Sequence, residues 1–200
     1  MLTKLNLGCG EFKKDGYINV DYYGVTEPDV RHDLNLFPYP FDDNRFTLIE
    51  ADHLLEHLDD PFRVMRELYR IARDGCVIRL RVPHFSRGLT HAEHRRGFDV
   101  SFPLYFDPSF RGGYQGFTLR LVKMSLRWSA QPYLKKTLLP GAVFHIASVL
   151  GGMIDFAANL SPYLCSRLWC FWVGGFEEME FEFEVVKGQN AEQNASIDRQ

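Results

Sequence analysis

Residues 46–83 read FTLIEADHLLEHLDDPFRVMRELYRIARDGCVIRLRVP, and their pattern sets the fold class. FTLIEAD has strand character, and CVIRLRVP has it again, with Val77, Ile78, Leu80 and Val82 apolar and Pro83 ending the run. Between them Asp60 is placed to cap a helix, Pro61 suits its first position, and Gly75 supplies a stop. Phe62, Met65, Leu68 and Ala72 recur at helical spacing on what should be its buried face. Strand, turn, helix and strand in this order predict a parallel α/β sheet.

Toward the N-terminus, KLNLGCG (4–10) reads as a short buried strand running into glycines, and GYINVD (16–21) as a second strand closing on an acid. DVRHDL (29–34) has room for a short third strand, and PYPFDDN (38–44) is turn-rich. Toward the C-terminus, FTLRLVKMSLRW (117–128) looks extended. In EEMEFEFEVVK (177–187), Met179, Phe181, Phe183 and Val185 alternate with Glu178, Glu180, Glu182 and Glu184, as in a half-buried antiparallel strand. Residues 129–172 form an apolar, helical insert before that strand, and the polar stretch from 188 to 200 is expected to be disordered.

The 200 residues, 46% of them hydrophobic, suffice for one domain, expected to span 1–187. A net charge of −3, with basic residues scattered among acids, disfavours a nucleic-acid partner. Cys9, Cys76, Cys165 and Cys170 match no zinc module, and no basic start with an apolar run marks a leader, so a reducing cytoplasm is expected.

A strand entering Gly8-Cys9-Gly10 lets the backbone approach a ligand closely. The dinucleotide fingerprint would need a glycine where Lys13 stands and an acid about 20 residues beyond the loop, so a nicotinamide oxidoreductase is disfavoured. Asp21 arrives sooner, at a strand end where a carboxylate can accept from both hydroxyls of a ribose. That suits a nucleoside cofactor without a pyrophosphate.

Taken together, LNLGCG, YINVD, Asp33-Leu34, PFDDNRFTLIEADHLLEHL, the helix to RIARDG and VIRLRVP resemble the class I S-adenosylmethionine-dependent methyltransferases over residues 1 to about 86. The likeness is greatest to small, type-11-like members associated with polysaccharide and lipopolysaccharide synthesis, to which THAEHRRGF and GGFEEMEFEFEVVK add. The resemblance implies a Rossmann-like, seven-stranded sheet, mostly parallel with its last strand antiparallel. It also implies S-adenosylmethionine as cofactor. Gly8 and Gly10, with Cys9 between them, would approach the methionine moiety, Asp21 the ribose, and Asp33 with Leu34 the adenine. Asp52 and His53 would flank the methyl-bearing sulfur. Phe12 replaces the usual third glycine, and the short span to Asp21 leaves room for about one turn of a shortened first helix. The cofactor edge is therefore expected to be open, or covered by another element such as a second subunit.

HLLEH, residues 53–57, spells the inverted zinc-peptidase motif, which needs one rigid helix and a third ligand downstream, with Glu93 and Glu177 as candidates. Pro61 and the aspartates before it start a new helix instead, so HLLEH reads as a turn at the rim of the crevice and no metal is assigned. A zinc hydrolase using His53, Glu56 and His57 is kept as an alternative, as is a non-catalytic cofactor-binding module of the same fold.

After the fifth strand, His84, His91, His94, Arg95 and Arg96 lie in the loop at the carboxyl edge of the sheet, where such folds bind substrates. Methyl transfer to a hydroxyl requires removal of a proton, and histidine titrates in the right range. His94 is the first candidate base, followed by His53 and His84. The arginines are candidate ligands for an acidic sugar or phosphate in the acceptor. From Thr137 to Ser166 Asp155 alone carries a formal charge. The expected uses of that apolar run are a lid, a contact in a homodimer, the core of the second half, or peripheral membrane attachment through 137–176. The predicted activity is methylation of an oxygen on a saccharide or glycolipid acceptor.

Overall fold

The computed structural model describes residues 2–88 and 91–188 and places seven strands in one sheet. In chain order they are β1 (Lys4–Leu7), β2 (Ile18–Asp21), β3 (Val30–Arg31), β4 (Phe46–Asp52), β5 (Ala72–Pro83), β6 (Thr118–Arg127) and β7 (Glu178–Val186). Their spatial order is β3-β2-β1-β4-β5-β7-β6. The first five run parallel, and β7 lies antiparallel between β5 and β6. The strand order reverses between β1 and β4, so the carboxyl ends of β1, β2 and β4 open on one crevice. The expected Rossmann-like sheet is present, with its antiparallel last strand and the helical insert ahead of it.

Helix α1 (Pro61–Ile71) begins as its sequence requires: Asp60 Oδ1 accepts from the N–H groups of Phe62 and Arg63 at 2.9 and 3.1 Å, and Pro61 occupies the first turn. Val64, Met65, Leu68 and Ile71 are buried against the sheet. Gly75 does not stop the helix. The chain passes at Ala72 directly into β5, and Gly75, at φ +73°, sits where the register with β4 is irregular, between the Phe46–Ala72 and Leu48–Val77 pairs.

The sheet is covered on one face. On the other, alternate positions of β4, β5 and β7 carry charges that pair across strands, Arg79 with Glu182 and Arg81 with Asp52 and Glu180, while Lys14 from the loop between β1 and β2 pairs with Glu50 of β4. Parallel strands are usually apolar on both faces because helices cover both. Here no helix among the described residues joins β1 to β2, which corrects the expectation of a shortened one. Buried asparagines take its place. Asn6 Nδ2 donates to Phe12 O and Asn19 Oδ1 at 3.1 and 2.9 Å, and the Lys14 N–H donates to Asn19 Oδ1 at 2.8 Å.

After β5 comes a single turn, α2 (Phe85–Gly88), and after β6 come α3 (Pro132–Leu138) and α4 (Gly141–Asn159). Polar bonds pin α4 along the end of edge strand β6: Asn159 exchanges two hydrogen bonds with the Leu126 backbone, and the Trp128 N–H donates to Asp155 Oδ1 at 2.7 Å. These bonds satisfy edge groups that would otherwise be open. Within α4 only Gly151 and Ala158 are buried, whereas Val143, Ile146, Val149, Met153 and Phe156 are exposed. Helix α4 is therefore not the core of a second half, although Ala158 at its end and Cys170 beyond it join the main core. Among the described residues α4 is the one helix long and apolar enough to cross a membrane, by length and composition. The disorder expected of the tail falls on residues 189–200, outside the described residues.

Candidate functional site

Gly8 and Gly10 both adopt left-handed backbone, at φ +64° and +48°. A Cβ on Gly8 would come within 2.9 Å of Leu54 Cδ1, so the glycine loop packs directly against the turn that follows β4. Around Gly10 nothing lies within 4 Å of the corresponding position, which leaves open space beside a carboxylate. That carboxylate is buried Asp21, whose Oδ2 accepts from the Gly10 N–H at 2.8 Å and Oδ1 from the Tyr23 N–H at 2.9 Å. Each oxygen retains lone-pair capacity for a ribose hydroxyl. The cradle fits a nucleoside. Cys9 is buried, and burial raises its thiol pKa, so it is a wall of the loop rather than a nucleophile.

Asp33 Oδ1 accepts from the Asn35 N–H at 2.9 Å and so shapes the turn after β3, while Leu34 is buried, its carbonyl accepting from the Tyr39 hydroxyl at 3.0 Å. The Asp52 carboxylate lies on the charged face of the sheet, 3.4 Å from Arg81 and 3.5 Å from Lys14. At the end of β4, then, it is His53 that turns toward the rim.

His53 has φ +50°, a left-handed conformation unusual for a side chain with a Cβ, and its N–H donates to Arg81 O at 2.8 Å. Its Nε2 is 2.6 Å from Glu178 Oε2, and Nδ1 is 3.3 Å from Glu56 Oε1 without forming a hydrogen bond. Burial opposes a charge on this ring, but the Glu178 and Glu56 carboxylates outweigh it and raise the pKa to about 9. His53 is thus an imidazolium at neutral pH, which corrects the expectation that it accepts a proton.

HLLEH is not a helix. It forms successive turns, with the His57 N–H on Leu54 O at 3.0 Å and the Leu58 N–H on Leu55 O at 3.3 Å. Its two histidines go to different partners, and Glu177, one of the candidate third ligands, is held by the Ala130 N–H and by Lys135. The zinc-peptidase arrangement is absent.

His84 is fully buried. The Ser86 N–H donates to its Nδ1 at 3.3 Å, so Nδ1 is an acceptor and Nε2–H is left to donate to Ser166 Oγ at 3.0 Å. Burial lowers its pKa to about 4. It ties β5 to the insert and has no path to a substrate, which removes it as a base.

His94 lies on the other side of Glu56, with Nε2 3.8 Å from Oε1. His91 stacks on His94 with centroids 4.7 Å apart, and His57 meets His94 edge-on at 5.0 Å. Arg95 pairs with Asp59 and its N–H donates to Glu56 O at 3.0 Å, while Arg96 donates to Asp59 O at 2.9 Å. Both arginines thereby clamp this loop onto the turn after β4 instead of standing free for an anion. Glu56 itself is 0% exposed, and neither carboxylate oxygen has a hydrogen-bond partner.

Sequence reasoning missed Glu178. Register carries the signal: in β5, Arg79 and Arg81 face Glu182 and Glu180, but Pro83 faces Glu178, which has no arginine across from it there and turns to His53 instead.

Comparison with known proteins agrees with this fold. A family model described as a methyltransferase domain matches residues 27–80, from just before β3 into β5 and therefore beyond the glycine loop. No curated protein sequence matches the chain. Among solved structures, a putative sarcosine dimethylglycine methyltransferase from Galdieria sulphuraria superposes with a TM-score of 0.55 at 15% identity, covering 92% of this chain and 77% of its own. The YcgJ protein from Bacillus subtilis gives 0.52 at 15% identity, with 92% of each chain covered. The [4+2]-cyclase SpnF gives 0.52 at 12% identity, covering 92% of this chain and 75% of its own. At these identities the likeness is one of fold. Residues 27–80 thus match a methyltransferase domain within a chain that has the S-adenosylmethionine-dependent methyltransferase fold, and S-adenosylmethionine is the methyl donor that this match and fold imply.

Proposed function

We propose that this S-adenosylmethionine-dependent methyltransferase domain methylates an oxygen of a saccharide carried on a lipid, working at the cytoplasmic surface of a membrane. The observation that carries the acceptor class is an apolar groove of about 980 Å³ walled by Trp128, Ile154, Leu164, Trp169 and Trp172. Gly174, Gly175 and Phe176 also line it, and Glu178, two residues on, bonds His53. A lipid tail in the groove would leave its polar head near the rim of the cofactor crevice. Exposed Trp169 and Trp172, with Lys136 on α3, suit an interfacial position. Cys9, Cys76, Cys165 and Cys170 are free thiols, as a reducing compartment favours.

In this reading the backbone of Gly8, Cys9 and Gly10 lies along the methionine moiety, Asp21 takes the ribose hydroxyls, and Asp33 with Leu34 borders the adenine. When bound, S-adenosylmethionine supplies an electrophilic methyl on a sulfonium sulfur. His53, already charged, holds Glu178 and Glu56 in place at the rim, and His84 is structural. Proton removal falls to the Glu56–His94 corner, the remaining histidine site on the crevice side of the loop.

Calorimetry with S-adenosylhomocysteine tests the donor: the folded chain should bind it, and no binding would sink the reading. Methyl-labelled S-adenosylmethionine then tests the acceptor, with label expected in organic-extractable lipid-linked saccharide. Label confined to free sugars would overturn the lipid assignment, and binding without transfer to any acceptor would favour a binding module.

A further inference from the structure

We propose that Glu56, His57 and His94 bind one divalent transition-metal ion of the zinc class, at the corner where the turn after β4 meets the loop after β5. One ligand atom from each residue lies within 4.8 Å of the others. Glu56 is the second and independent observation. Its side chain is 0% exposed, and among the described residues neither oxygen accepts a hydrogen bond: His53 and His94 stand 3.3 and 3.8 Å from Oε1 as ion-pair neighbours, so the carboxylate keeps lone-pair capacity for a ligand. Two imidazoles and one carboxylate, with a fourth position open, form a zinc-type donor set. Ligand atoms around a tetrahedral ion with bonds of about 2.1 Å stand about 3.4 Å apart, so binding would draw the two histidines inward. Both sit on turns free of regular secondary structure, which permits this movement. His53, 3.3 Å from Oε1 and bonded on its other side to Glu178, would orient the carboxylate from outside the ligand set.

The ion would tie residues 91–97 to the crevice rim. In the open position it would also acidify a bound acceptor hydroxyl, so that this corner would assist proton removal through the ion, the proton passing to solvent water and not to His94 or Glu56 directly. That second role rests on the methyltransferase reading, whereas the binding site stands on geometry alone.

Untagged full-length protein, stripped with a chelator and dialysed, should take up one Zn²⁺ per chain by calorimetry and one Co²⁺ with the visible absorption of a tetrahedral site. His57→Ala and His94→Ala should each weaken uptake by about 100-fold or more, with circular dichroism unchanged, while His145→Ala on α4 should not. Glu56→Gln should do the same, and if it fails to fold the two histidine variants still decide. Folded protein that takes up neither ion, or takes them up equally well in both histidine variants, overturns the site. Loss of ion binding with S-adenosylhomocysteine binding intact leaves the methyltransferase reading standing, and the reverse result separates the two the other way.

Discussion

The Gly10 N–H donates to Asp21 Oδ2 at 2.8 Å, so the acid expected to hold a ribose also holds the loop that faces the ribose. The second carboxylate oxygen accepts from the Tyr23 N–H, and the residue is buried. Asp21→Ala therefore removes the acceptor of two backbone donors. It should cost about 1–3 kcal/mol of stability as well as cofactor affinity, with Asp21→Asn falling between. Urea midpoints together with calorimetry on S-adenosylhomocysteine check this. Lost affinity at unchanged stability would mean that Asp21 serves the ligand alone.

That double duty shows where the sequence was informative. Strands, helix start and crevice followed from local pattern, because apolar alternation, Asp60 and Pro61 act within a few residues of themselves. The partners of the rim side chains did not. His53 meets Glu178, 125 positions away, and His84 meets Ser166, 82 away. Only strand register and the path of the insert bring these together. The charged sheet face was half visible, as the glutamate row of β7, but its matching arginines in β5 were read only as part of an apolar run. The apolar insert was visible as composition, while its exposure depends on what α4 is pinned to.

His53→Ala should destabilise the fold by about 1–3 kcal/mol, because Glu178 is buried and would lose the cation that bonds it at 2.6 Å. If His53 were instead a free base at the rim, stability would be unchanged and the rate alone would fall. Denaturant midpoints of His53→Ala and of the double variant His53→Ala/Glu178→Ala separate these outcomes: removing both partners should recover part of the loss.

His84 makes stability depend on pH. Its pKa is lowered to about 4 by burial, against an ordinary value near 6.5, so below pH 6.5 the unfolded chain binds a proton that the folded chain refuses. The contribution is complete above pH 6.5, declines as pH falls toward 4, and should amount to about 2 kcal/mol lost by pH 5. Carboxylates titrate nearby, so the informative quantity is a difference. His84→Gln, which is neutral throughout and still able to hydrogen bond, should show a shallower loss between pH 7 and pH 5 than the parent chain. Parallel curves would show that the ring protonates freely in the folded state.

The apolar face of the insert predicts attachment to lipid. Trp172 is 88% exposed, Phe171 61% and Phe156 72%, and no charged side chain of α4 other than Asp155 interrupts this surface. Burying one aromatic side chain contributes about 1.5–3 kcal/mol, so Trp172→Ser and Phe156→Ser should each reduce binding to anionic vesicles by roughly 10-fold or more. Both residues belong to helices of the insert and neither to the glycine loop, so S-adenosylhomocysteine affinity should stay the same. Flotation on sucrose gradients measures the first quantity and calorimetry the second. A second copy of the chain is the competing occupant of this face: sedimentation would then show a dimer that Trp172→Ser dissociates, with no vesicle binding by either form.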